Sequence, residues 1–430
     1  MCRVSESRVS ARTLTRIAIA LAALTLVAIL GLRPTGEGRP EAPALTSFKG
    51  TYTATVQRLS EVACAGAEGA APDCVSVSFR LLDGPDIGTI TTIELSALAP
   101  RTASLTLGDR VVLGHQPQVP GFEYAFLDRD RRSSLLVLAG VFVIAVVALG
   151  RWRGLSALVG LAATLAVLFV FVVPAILEGR DPLLVSVVGA VTIAYAALYL
   201  SHGFSTRTTV ALIGTLGGLV VAAVLAVVFI SVAEITGLAT EEALVLTAVG
   251  SDLDLRGLIL GGMMIGALGA IDDMTVTQVS AVWELREADP TVSPRRLTRA
   301  GLRIGRDHVA STVNTLVLAY AGASMPLLVL FVLSDQPAGI VANGELVATE
   351  IVRTLVGSIG LVASVPIATV LAAHVGQARA DTIVPSPSPA ARETRPRPQV
   401  IEGPEEHAIP ERRRDLWNKR LREGRHRGKS

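Results

Sequence analysis

Cysteine is scarce in this chain, three in 430 residues. With no CxxC pair and no Cys/His cluster at metal-ligand spacing, dithiol redox motifs and zinc modules are excluded, and no metal site is expected. Histidine numbers six. No HExxH, no Ser/His pair and no cysteine nucleophile falls inside an apolar segment, so no catalytic residues and no cofactor are expected. A net charge of +2 is too small to point to a nucleic-acid partner. Only 18% of residues are charged and 4% aromatic. What remains is apolar: 50% hydrophobic residues and a mean hydropathy of +0.53. That balance belongs to a polytopic membrane protein, with the lipid bilayer as its main partner.

Apolar runs long enough to cross a bilayer occur eight times. They are Leu14–Leu32, Ser133–Gly150, Gly154–Leu177, Leu183–Ser201, Thr209–Ala233, Gly257–Ala281, Val309–Leu333 and Ile351–Val375. Arg3, Arg8, Arg12 and Arg16 precede the first, which sets the N-terminus in the cytoplasm. The loop between the sixth and seventh runs then falls inside as well. It carries Arg286, Arg295, Arg296, Arg299, Arg303 and Arg306. Arg129, Arg131 and Arg132 lie on the wrong side of this count, against Arg151 and Arg153 inside, and are outvoted. The first run is read as an anchor, since its apolar core is long for a cleaved leader. The expectation is a multi-pass plasma-membrane protein with both termini inside.

Residues 33–132 are different material. Pro34, Pro40 and Pro43 make a linker. Period-two alternation follows, with Val75, Val77, Phe79 and Leu81 on one face and Ser76, Ser78 and Arg80 on the other. Thr89–Leu95 is extended, Gly108-Asp109 reads as a turn between Ser104–Leu107 and Arg110–His115, and Tyr124–Leu127 is a last strand. Five or six short strands imply a small extracytoplasmic all-β barrel or sandwich. Cys64 and Cys74 lie within it, and an oxidising compartment favours a disulfide between them. His115 is read as structural. Residues 376–430 are rich in proline and basic residues, without apolar periodicity, and read as a disordered cytoplasmic tail.

Function concentrates in the sixth run. Gly262 and Gly266 form a GxxxG, Gly269 follows, and Asp272 and Asp273 stand next to each other. Small residues let helices pack closely. Ionisable groups at membrane depth mark functional sites by default. Adjacent residues on a helix point about 100° apart, so one acid is expected to face the interior and the other a cavity or the seventh helix. Thr275, Thr277 and Gln278 continue the polar character. In the seventh run Thr312 and Asn314 are placed to approach Asp273 or Gln278. These side chains form the candidate ion or substrate site. Glu350 and Arg353, three apart, form a helix ion pair or a gate. Pro326 and Pro366 are expected to kink their helices.

Three segments carry a resemblance. They are Gly266-Ala267-Leu268-Gly269-Ala270-Ile271-Asp272-Asp273, Gly305-Arg306-Asp307-His308-Val309-Ala310-Ser311-Thr312-Val313-Asn314-Thr315-Leu316 and Ala348-Thr349-Glu350-Ile351-Val352-Arg353-Thr354-Leu355-Val356-Gly357-Ser358-Ile359-Gly360-Leu361. Together they make the chain similar to the YibE/F-like family of bacterial membrane proteins, over about Ser133 to Val375. The resemblance implies a multi-pass fold and supplies no substrate. From the residues themselves, two functions are expected. One is a transporter coupling protons or small cations through the carboxylate pair. The other is a membrane scaffold whose β domain binds an envelope partner.

Overall fold

The computed structural model describes residues 11–36, 48–62, 74–96, 104–116, 123–248, 253–334 and 336–375. Cys64 and the C-terminal tail lie outside these. Cys74 is disulfide-bonded.

Among the described residues, five strands follow the first helix, α1 (Ala11–Leu32). They are β1 (Gly50–Val62), β2 (Cys74–Leu81), β3 (Ile90–Ser96), β4 (Arg110–His115) and β5 (Tyr124–Arg129). They form one antiparallel sheet in the order β3-β2-β1-β4-β5. Strand β3 also comes alongside β5, so the sheet curls into a small, partly open barrel. The expected alternation holds in β2: Val77, Phe79 and Leu81 are buried, and Ser78 bonds Thr92 across the outer face. The central strand β1 has no such clear pattern in its sequence. Ser104–Leu107 is not a strand; Thr106 and Asp109 close a turn there instead. Gly84, at φ +94°, lies against the Tyr52 ring. Only a residue without a Cβ fits both that dihedral and that contact. The His115 ring meets Tyr52 edge-on and Tyr124 at a tilt, a packing role within the sheet.

The helices that follow are α2 (Arg132–Leu177), α3 (Pro182–His202), α4 (Thr206–Val232), α5 (Glu241–Ala248), α6 (Leu255–Ala288), α7 (Pro294–Ala323), α8 (Met325–Leu333), α9 (Ala338–Asn343) and α10 (Glu345–Val375). Among the described residues, α1, α2, α3, α4, α6 and α10 are each long and apolar enough to cross a membrane. The pair α7 and α8 qualifies together but bends by 65°. Helix α2 has 46 residues, about 69 Å if straight, more than twice a ~30 Å hydrocarbon core. It is not straight. Arg151 adopts φ 51°, ψ −129°, and a Cβ at Gly154 would run into the Val146 carbonyl, so the two limbs press together at the turn. The break falls where the second and third apolar runs meet.

The kink expected at Pro326 is present as a full break: the helix ends at Ser324, and Pro326 sits in the first turn of α8. There proline costs no hydrogen bond. Pro366, by contrast, lies inside an unbroken α10. The arginine-rich loop is also mostly helix. Only residues 289–293 connect α6 to α7, and Arg286 is buried, donating to the Ala373 carbonyl at 2.9 Å.

The bundle centres on α6, which packs against α3, α4, α7 and α10. We call the end where α3, α6 and α10 begin the upper end. Caps fix these boundaries: Asp181 accepts from Leu184 N–H at 2.7 Å, and Ser205 from Thr208 N–H at 3.1 Å. One device recurs at the upper end. The Glu178 carboxylate accepts the N–H groups of Thr35 and Gly36, and Glu345 accepts those of Thr236 and Gly237. Each pins the Thr-Gly turn that follows a helix. Midway down, backbones come closest. A Cβ on Gly218 would stand 2.8 Å from Ser364 Cβ, 2.9 Å from the Gly360 carbonyl and 3.0 Å from Ile271 Cγ2.

Gly218→Val should therefore force α4 off α6 and α10, costing about 1–3 kcal/mol as overpacking does, whereas Gly262→Val, with nothing within 4 Å of its Cβ position, should leave the melting temperature in detergent nearly unchanged. Equal losses would mean the packing centre is misplaced. In the β domain, hydrogen bonds from Arg129 (2.8 Å) and then Thr106 N–H hold the Asp109 carboxyl below its ordinary value. A lowered folded value stabilises above the unfolded pKa of about 3.9 and is lost as pH falls through the lowered value. Acid should thus weaken amide-exchange protection of β4 and β5 in the wild type, and less in Asp109→Asn, which starts lower.

Candidate functional site

Depth comes first. Ile271 touches both Gly218 and Gly360. Gly360 is the midpoint of α10, and Gly218 and Ile271 lie close to the midpoints of α4 and α6. The next two residues are Asp272 and Asp273, so the acid pair sits halfway along the packed helices. A helix end at this level is excluded: α6 runs on to Ala288, with Gln278, Val279 and Val282 buried below the acids.

The two acids differ as their 100° offset predicts. Asp272 is half-buried, and its Oδ1 is enclosed without a hydrogen-bond partner. Leu268 above it and Val279 below belong to the core shared with Ala194 and Leu198 of α3. Asp273 is exposed and within electrostatic range of His202 at the lower end of α3. The backbone around the pair is braced by threonines. Thr275 Oγ1 lies 2.6 Å from Thr215 Oγ1 of α4 and 3.0 Å from the Asp272 carbonyl, and Thr277 donates to the Asp273 carbonyl at 2.8 Å.

Asp273 belongs to one line along α6: Leu255, Ile259, Gly262, Gly266, Gly269, Asp273, Thr277. The spacing of four and three residues keeps them on one face. Gly262 and Gly269 have nothing within 4 Å of a Cβ position, and Gly266 meets only the Tyr320 hydroxyl, at 2.9 Å. This corrects the expectation that Gly262, Gly266 and Gly269 pack helices together. The packing glycines of α6 are Gly257, against Pro182, and Gly261, against Ser186. The GxxxG lines an open strip instead.

Of the other expected site residues, Gln278 is buried and bound elsewhere. Its Nε2 donates to the Gly301 carbonyl at 2.8 Å and to Thr369 Oγ1 at 2.7 Å, which ties α6 to α7 and α10 where Gly301 and Gly305 allow close approach. Thr312 donates to the His308 carbonyl. Asn314 is exposed, half a turn round α7 from Gly305. Glu350 and Arg353 do pair, at 2.7 Å. Tyr320, which no motif singles out, lies within electrostatic range of both. Among the described residues no group of three or more His, Cys, Asp or Glu side chains gathers to hold a metal.

The profile of the family described as YibE/F-like protein matches residues 138–377. The chain belongs to that family. The match covers more than half of the sequence and contains α3 to α10, hence the acid pair, the open strip and the Glu350–Arg353 pair. No curated protein matches the chain, and no solved structure does. The family membership and the apolar helices make this a multi-pass membrane protein.

Proposed function

We propose that this YibE/F-like protein is a membrane transporter in which Asp272 and Asp273 couple movement to protons or small cations. The observation that supports this is the pair's position: two adjacent carboxylates at mid-bundle, one with an enclosed oxygen that no donor satisfies, the other on an open strip. A charge at the bilayer centre costs about 2.5–3.5 kcal/mol on insertion scales. A protein that keeps two adjacent acids there, unpaired with any cation, gains something other than stability from them.

Several assignments travel with this reading. Counting α2 as two limbs and α7 with α8 as one span gives eight crossings. The arginine distribution then sets both termini in the cytoplasm and the upper end, with the β domain, outside a plasma membrane. The runner-up, a scaffold that uses the β domain to hold an envelope partner, treats the acids as helix locks. The absence of a partner for Asp272 Oδ1 argues against a lock.

The two readings separate in proteoliposomes. Asp272→Asn and Asp273→Asn should keep the wild-type melting temperature and reduce proton uptake, driven by an imposed pH step or a Na⁺, K⁺ or Mg²⁺ gradient, to the level of empty vesicles. Variants that fold and still take up protons at the wild-type rate would end the transporter proposal. Loss of the folded protein in both would favour the scaffold.

A further inference from the structure

A cavity of about 160 Å³ lies at the upper end of the bundle, between α5 and the first turns of α6 and α10. Leu255 and Ile259 line it, and these are the first two residues of the strip that carries Asp273. Glu242, Glu345, Glu350 and Arg353 also line it. From the cavity downward, that face of α6 therefore presents Ile259, Gly262, Gly266, Gly269 and Asp273. The path is about 21 Å long at 1.5 Å per residue. Two things stand over it. The Glu350–Arg353 pair sits at the cavity, and the Tyr320 hydroxyl rests on Gly266. Tyr320 lies one turn before the 65° break between α7 and α8, where the helix ladder is already interrupted.

We infer that this cavity is the entrance to the acid pair, that it admits a cation, and that Arg353 and Tyr320 are its two barriers. The inference rests on the transporter reading and adds a route, a sign of charge and two residues to it. The cavity wall is mostly apolar, and its charged residues are three glutamates and one arginine. Glu345 is committed to Thr236 and Gly237, and Glu350 is neutralised by Arg353, which leaves Glu242 to attract the cation. Arg353 opposes it: a half-buried guanidinium beside the cavity repels any cation that passes. Glu350 moderates that repulsion. Below the pair, the Tyr320 hydroxyl occupies the space that the missing Gly266 side chain leaves, between Gly262 and Gly269 on the strip.

The two members of the ion pair should therefore have opposite effects. In proteoliposomes Arg353→Gln should raise the rate of proton uptake, on the order of tenfold as focused charges change encounter rates, and Glu350→Gln should lower it similarly. A merely structural pair would lower the rate in both variants, which would overturn the inference. If wild-type vesicles take up no protons at all, the transporter reading falls, and this route with it. If uptake depends on Asp273 but not on these two residues, only the route falls. Access can be read without flux. Over the labelling of the parent protein, a membrane-impermeant maleimide added from the upper side should label Gly262→Cys, above Tyr320, and leave Gly269→Cys unlabelled until Tyr320→Ala is added. Labelling of Gly269→Cys with Tyr320 intact, or none at Gly262→Cys, would overturn the barrier.

Discussion

The contact of Ile271 with Gly218 and Gly360 is the constraint on which the rest depends. Three helices approach there to backbone distance because two of the three residues have no side chain. That approach fixes the rotation of α6. Its apolar side, through Met264, Ala267, Ile271 and Met274, is committed to the core. Asp272 is then turned to the edge of that core, and Asp273 away from it. Neither carboxylate chose its environment; the glycines of neighbouring helices did.

Polar groups elsewhere in the bundle show the alternative. Thr215 and Thr275 satisfy each other, and Gln278 gives both amide hydrogens to α7 and α10. Arg286 reaches a carbonyl of α10, and Glu345 and Glu178 collect backbone N–H groups. Buried polar groups are partnered as a rule because an unmade hydrogen bond in an apolar medium is expensive. Among the described residues a few buried side-chain atoms still lack a partner, Gln278 Oε1, Ser358 Oγ and Asp272 Oδ1 among them, and Asp272 supplies the one carboxylate oxygen of that set, at mid-bundle.

Much of the scaffold was legible from residue order. Long apolar runs separated by charged or glycine-containing breaks located the helices, including the turn at Arg151, because hydropathy alone decides which segments can enter lipid. The alternation of β2 was legible for the same reason. Rotation was not. A GxxxG reads as a packing seam, yet helix phase is set by partners far along the chain, and α6 turned Gly257 and Gly261 inward and left Gly262, Gly266 and Gly269 open. Gln278 went astray similarly: it is polar and at plausible depth, but it is consumed by Gly301 and Thr369. Tyr320 carried no signal at all, since its role depends on a glycine 54 positions earlier. Glu350 and Arg353 were legible because an i, i+3 pair is local.

The account makes Asp273 both deep and wet: at the level of the bilayer centre, on a strip that lipid tails do not fill. A nitroxide attached at Asp273→Cys in the protein reconstituted into lipid bilayers reads both properties, through its relaxation by oxygen and by a water-soluble nickel chelate. The account predicts a depth near the midplane together with strong contact with the chelate. A label at headgroup depth, or a deep label relaxed by oxygen alone, would contradict it.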